Sequence, residues 1–79
     1  MEQTVPLSEL GVGQSCIVAG LTHTGAMRSR LCELGFVRGA QARCLMRSFS
    51  GDPSAYLICG AVIALRRQDA EKIAVLRNG

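Results

Sequence analysis

Two periodicities alternate along the chain, and each marks an element. Ser15–Leu21 steps with period two: Cys16, Val18 and Gly20 fall on one face, and Ile17, Ala19 and Leu21 on the other. Both faces are apolar, so the segment reads as a strand covered on both sides. Gly25–Leu34 steps with the helical period. Met27, Leu31 and Leu34 stand at i, i+4 and i+7 and form one apolar stripe, with Arg28, Arg30 and Glu33 on the remaining sides. Arg30 and Glu33 are spaced to pair at i, i+3, worth a few tenths of a kcal/mol. Thr24 is placed to cap the start of this helix. Gly35 stands just past its end, where a left-handed residue closes a helix, and Phe36 is positioned to fold back onto the last turn.

The remainder reads as strands broken by turns. Pro6–Leu10 predicts a short turn or helix, with Leu7 and Leu10 three apart, before Gly11 and Gly13 punctuate the chain. After Gly39, Ala40–Phe49 predicts a half-buried strand with Ala42, Cys44 and Met46 on its inner face and Gln41, Arg43 and Arg47 on its outer face. Ser50–Gly51–Asp52–Pro53 is a dense turn signal in which Asp, Pro and Gly each have a turn-forming reason to be present. Ala55–Cys59 and Ala61–Arg66 follow as two strands separated by Gly60, which marks a hairpin or bulge. Gln68–Lys72 predicts a helical turn with acidic residues near its start, and Ala74–Arg77 a last strand. Five short strands, tight turns and one main helix predict a mainly β single domain over residues 1–79: a small closed barrel, whose closure would also protect its strand edges.

Composition narrows this picture. A chain of 79 residues buries roughly 60–65% of its unfolded surface, enough for one thin core. With no Trp, one Tyr and two Phe, that core is aliphatic. No basic n-region precedes an apolar run near Met1, and no stretch approaches the roughly 18 apolar residues of a membrane span, so a cytosolic domain is expected. The formal charge of +3 comes from scattered Arg residues without interleaved aromatics, the mark of a solvated surface rather than a nucleic-acid platform.

The chemistry-bearing residues are few. Cys16, Cys32, Cys44 and Cys59 lie at least twelve positions apart, unlike the short C-x₂₋₄-C pairs of structural zinc sites. Each sits where Val or Ala would also fit, so four reduced, mostly buried structural thiols are expected. His23 is the one histidine and reads as a surface residue. No metal ligand set, cofactor site, catalytic pair or phosphate-binding loop is expected; Gly11-x-Gly13 precedes a strand, not a helix. The bottom-up reading therefore ends at a small β-rich binding domain.

Several segments carry a more specific likeness. Leu31–Cys32–Glu33–Leu34–Gly35–Phe36 followed by Gly39 resembles the L-x-E-L-G-F-x-x-G stretch of the FeoA family. Gly51–Asp52–Pro53 is similar to that family's turn. Ala64–Leu65–Arg66–Arg67 with Ala70, Ile73 and Val75 resembles its A-L-R-R-x-x-A-x-x-I-x-V ending, and Leu7–Ser8–Glu9–Leu10 its opening. The resemblance spans nearly the whole chain. It departs at Arg38 and near Phe49, where the family often has Pro, and in its four cysteines. It implies an SH3-like five-stranded barrel, a cytoplasmic location and a non-enzymatic accessory role in ferrous-iron uptake. The implied partner is the cytoplasmic part of a FeoB-type membrane transporter, with no nucleic acid and with the membrane met only through that transporter. The alternative class is a metal-sensing or metal-delivery module, since the same barrel forms the C-terminal domain of iron-dependent repressors. The expected partner-binding residues are Arg28, Arg30, Phe36 and Arg38: the helix's outer face and the residues after its cap, which the helix stripe itself does not explain.

Overall fold

A computed structural model of the chain describes residues 3–50 and 52–77. Six strands form one antiparallel sheet: β1 (Val5–Pro6), β2 (Ser15–Leu21), β3 (Gln41–Arg47), β4 (Ser54–Ile58), β5 (Ala61–Leu65) and β6 (Ile73–Arg77). A 3-10 turn covers Leu7–Glu9. The main helix α1 is Gly25–Leu34, and a one-turn helix α2 is Arg67–Ala70. The sheet order is β1-β6-β2-β3-β4-β5. The expected closed five-stranded barrel is thus corrected in two respects. A sixth strand, β1, pairs with β6 through Val5↔Val75 and Pro6↔Ala74, and the terminal strands β1 and β5 do not pair with each other.

The core lies on one face of the sheet. Cys16 pairs with Ala42 and Ala42 with Ile58, while Cys44 pairs with Tyr56 and Tyr56 with Ile63. Leu7, Leu10, Val18, Leu31, Phe36, Leu65, Ala70, Ile73 and Val75 complete the buried layer, and the half-buried Ile63 packs against it. Two β-bulges shift the simple alternation. The register steps between Val18 and Gly20, so Leu21 lies opposite the buried Ile73 and packs against the core. It therefore joins Cys16 and Val18 rather than the opposite face. The register steps again between Cys44 and Met46. Met46 is consequently 61% exposed instead of lying on the inner face, and Arg47 turns inward opposite the buried Ser54. One extra residue in a strand reverses which side chains face in.

Arg47 satisfies backbone groups that the 3-10 turn leaves open. Its Nη2 donates to the carbonyls of Ser8 (3.0 Å) and Leu10, and its Nη1 to Ser54 Oγ (3.3 Å). Asp52 has a comparable role. Its Oδ1 accepts the Arg67 N–H at 2.9 Å, filling an orphan donor at the start of α2. This gives Asp52 a structural task fifteen residues away from its own turn; its neighbour Gly51 lies outside the described residues.

Helix α1 ends as its sequence predicts. Gly35 adopts φ 114°, its N–H donates to the Cys32 carbonyl (3.1 Å), and the Phe36 N–H donates to the Leu31 carbonyl (2.9 Å). This is the 6→1, 5→2 pattern of a Schellman cap. Leu31 and Phe36, its two hydrophobic partners, both lie in the core. At the other end Thr24 occupies the N-cap in an extended conformation but makes no side-chain cap bond.

Candidate functional site

The four residues expected to meet a partner fall into different environments. Phe36 is fully buried: the Schellman cap turns its ring into the core, so it offers no face to a partner, and it leaves the candidate set. Arg28 is exposed, but its Nη1 donates to the carbonyls of Leu21 (2.9 Å) and His23 (3.5 Å), tying the helix to the end of β2. Arg38 is exposed in the turn before β3. Arg30 borders a groove of about 200 Å³ between α1 and β5.

That groove has an apolar lining and a charged rim. Met27, Leu31 and Leu34 line it from the helix, and Ile63, Ala64 and Leu65 from the strand. Arg30, Arg66 and Asp69 complete the rim. Asp69 lies 3.7 Å from His23 Nε2. Arg30 and Arg66 have no carboxylate partner within salt-bridge distance among the described residues. Sequence reading reached Arg30 through the helix pattern. It does not join Arg66 to Arg30, because the groove brings together segments more than thirty positions apart. A larger depression of about 440 Å³ lies on the outer sheet face near Arg43, Leu57 and Cys59. Phe49 is fully exposed between β3 and β4.

The thiols and the histidine differ from expectation in part. All four cysteines are free; Cys16 and Cys44 are buried, Cys32 is half-buried and Cys59 is exposed. Cys59 is exposed because it sits in the two-residue β4–β5 turn, at φ 49° beside Gly60 at φ 79°. Burial pushes the Cys16 and Cys44 thiols above their ordinary range, disfavouring the thiolate. Iodoacetamide at neutral pH is therefore expected to alkylate Cys59 in the native protein and Cys16 and Cys44 only after unfolding. Native labelling of Cys16 at the Cys59 rate would contradict this core. His23 is buried, not a surface residue. The Thr22 N–H donates to the Lys72 carbonyl (2.9 Å) just after α2, and Asp69 of α2 lies 3.7 Å from the His23 ring. Neither ring nitrogen has a hydrogen-bond partner. Among the described residues, no three His, Cys, Asp or Glu side chains gather to hold a metal ion, and no helix is long and apolar enough to cross a membrane.

Fold and groove together define a small antiparallel β-domain with one helix set beside a sheet edge. The FeoA domain model matches residues 5–77, and the chain belongs to the FeoA family. It is similar to the FeoA protein of Chlorobium tepidum, with 35% identity and a TM-score of 0.87 over 100% of this chain and 71% of that one. It is also similar to Stenotrophomonas maltophilia FeoA, solved in complex with zinc and described as a prokaryotic SH3 domain protein, with 32% identity and a TM-score of 0.78 over 92% of this chain and 88% of that one. The fold is accordingly SH3-like. A Fe(2+) transport protein A/FeoB fusion protein of Porphyromonas gingivalis is 36% identical over 69 residues, which is 87% of this chain and 8% of that protein's length. A manganese-dependent transcriptional repressor shares the fold at 19% identity and a TM-score of 0.85, over 99% of this chain and 44% of that one. At that identity the likeness is one of fold alone.

Proposed function

We propose that the protein is a non-enzymatic, cytoplasmic accessory component of ferrous-iron uptake that docks on the cytoplasmic part of a FeoB-type transporter. The observation that carries this reading is the P. gingivalis relative, in which an FeoA part and an FeoB part belong to one chain. Fusion holds two modules at a high effective concentration. Where the two modules are separate chains, a docking surface has to supply that association instead. The α1 side is that surface in this reading, with Arg30 and Arg38 supplying charge that speeds encounter with an acidic patch. Arg28 is engaged in holding the helix to β2, and Phe36 acts only as core. The metal-sensing alternative has less support, because its structural likeness is to the repressor fold and the described residues bring no ligand cluster together.

The test is a titration of the purified chain with the cytoplasmic part of a FeoB-type transporter, at low and moderate salt. Saturable binding that weakens as salt rises is expected. No binding at either salt concentration would overturn the proposal.

A further inference from the structure

The two edges of the sheet differ. β1 is two residues long and contains Pro6, so it offers little to a pairing strand. β5, Ala61-Val62-Ile63-Ala64-Leu65, is five residues long, carries no charge and no proline, and pairs with β4 without a register shift. It lacks the charges, prolines and bulges by which strands ordinarily discourage pairing along an edge.

Its register shows which backbone groups are free. The Cys59–Gly60 loop is flanked by the pair Ile58↔Ala61. In a two-residue hairpin with both loop residues at positive φ, the flanking residues exchange both hydrogen bonds, and bonded pairs then recur at every second position. Ala61, Ile63 and Leu65 accordingly bond to β4. Val62 and Ala64 direct their N–H and C=O groups to the open edge. Both residues are exposed, Val62 at 63%. The groove beside α1 meets this strand at Ile63, Ala64 and Leu65. Arg30 and Arg66 stand at its rim with Asp69, and neither arginine has a carboxylate within salt-bridge distance among the described residues.

We infer that β5 accepts an added strand: an extended segment of the partner, apolar on the side that enters the α1–β5 groove and bearing carboxylates that meet Arg30 and Arg66. Backbone bonds to Val62 and Ala64 supply affinity without sequence preference, while the groove and the two guanidinium groups select an apolar, acidic segment. Charge complementarity favours this occupant over a second copy of the chain, whose own β5 is uncharged and is followed by Arg66 and Arg67. The inference rests on the docking role proposed above and names its surface.

The experiment measures amide hydrogen exchange in the full chain alone and with the transporter's cytoplasmic part. Slowed exchange at Val62 and Ala64 in the complex is expected. Ala64→Pro, which removes an outward N–H, is expected to weaken binding at least tenfold, as is the pair Arg30→Glu with Arg66→Glu. Both are assayed in chains whose melting curves confirm folding, and the charge pair leaves the strand intact if the proline variant does not fold. A complex that forms with unchanged exchange at these two amides, or with unchanged affinity in the charge pair, overturns the inference and leaves the docking role standing. Where no complex forms, the docking role fails, and a capped synthetic peptide of alternating valine and glutamate tests the groove by itself against its valine–lysine counterpart. Protection of Val62 and Ala64 by the glutamate peptide alone supports the inference; protection by neither or by both overturns it. Concentration-dependent dimerisation that protects the same two amides would assign the edge to a second copy and also overturn it.

Discussion

Gly35→Ala is expected to destabilise the domain by about 3 kcal/mol or more. Two separate costs act at this position. The backbone sits at φ 114°, where a residue with a β-carbon is strained by roughly 1–2 kcal/mol. The added β-carbon would also lie 2.6 Å from Cys59 Sγ, 3.2 Å from Cys59 Cβ and 3.3 Å from Ile58 Cγ1. Ile58 is fully buried, so it cannot retreat without disturbing the core. For a domain of this size each kcal/mol shifts the melting midpoint by roughly 4–8 °C, so a fall of more than about 12 °C is expected. Adding Cys59→Gly separates the two costs. It removes the nearest contacts and suits the φ of 49° at that position, so the double variant should recover the steric part and retain the backbone part. A Gly35→Ala variant melting within a few degrees of the parent would show that α1 does not close through this cap.

The same junction shows why some of the fold was legible in the sequence. A helix with one apolar stripe, a glycine at C′ and an aromatic behind it is local information, and α1 and its cap follow from it directly. The bounds of β2 are likewise marked by Gly and His–Thr–Gly on either side. What was not legible is nonlocal. β1 exists because Val5 and Pro6 meet β6, and two residues carry no period. The bulges at Ala19 and Leu45 leave no mark in a two-residue alternation, yet they decide that Leu21 and Arg47 face in and Met46 faces out. Strand number and turn density suggest closure, whereas the pairing leaves β1 and β5 as edges.

The proposed docking surface is less legible still. Arg30 could be placed on an outer helix face from spacing alone. Arg66 could not be joined to it, because the groove depends on how β5 runs past α1. The position of Phe36 fits two roles, cap contact and exposed ring, and its burial is compatible only with the first. Arg28 lost its freedom to the carbonyls of Leu21 and His23, acceptors that no charge pattern reveals. The burial of His23 has the same origin: its enclosure depends on α2, which lies more than forty positions further along.

Leu31→Asp is expected to have the largest effect of any single substitution in α1. Leu31 is the one buried residue of the helix, 1% exposed, and its carbonyl receives the Phe36 N–H that closes the cap. Truncating such a leucine costs about 2–5 kcal/mol. Placing a carboxylate there adds the cost of burying a polar group without a partner, about 1–3 kcal/mol on protein scales. The sum, roughly 3–8 kcal/mol, is comparable to the whole stability of a small domain, so the variant should be largely unfolded at 37 °C by circular dichroism. Leu34→Asp is the internal comparison. Leu34 belongs to the same stripe but is only half-buried and borders the open groove. Its carboxylate can stay hydrated, and Arg30 and Arg66 line the same groove. This variant should therefore remain folded, with a melting midpoint lowered by several degrees. Equal destabilisation by the two substitutions would mean that the helix rests on the sheet through its whole stripe, leaving no open groove between α1 and β5. A folded Leu31→Asp chain would mean that α1 contributes little to the core, and the cap at Gly35 would then have to be anchored through Phe36 alone.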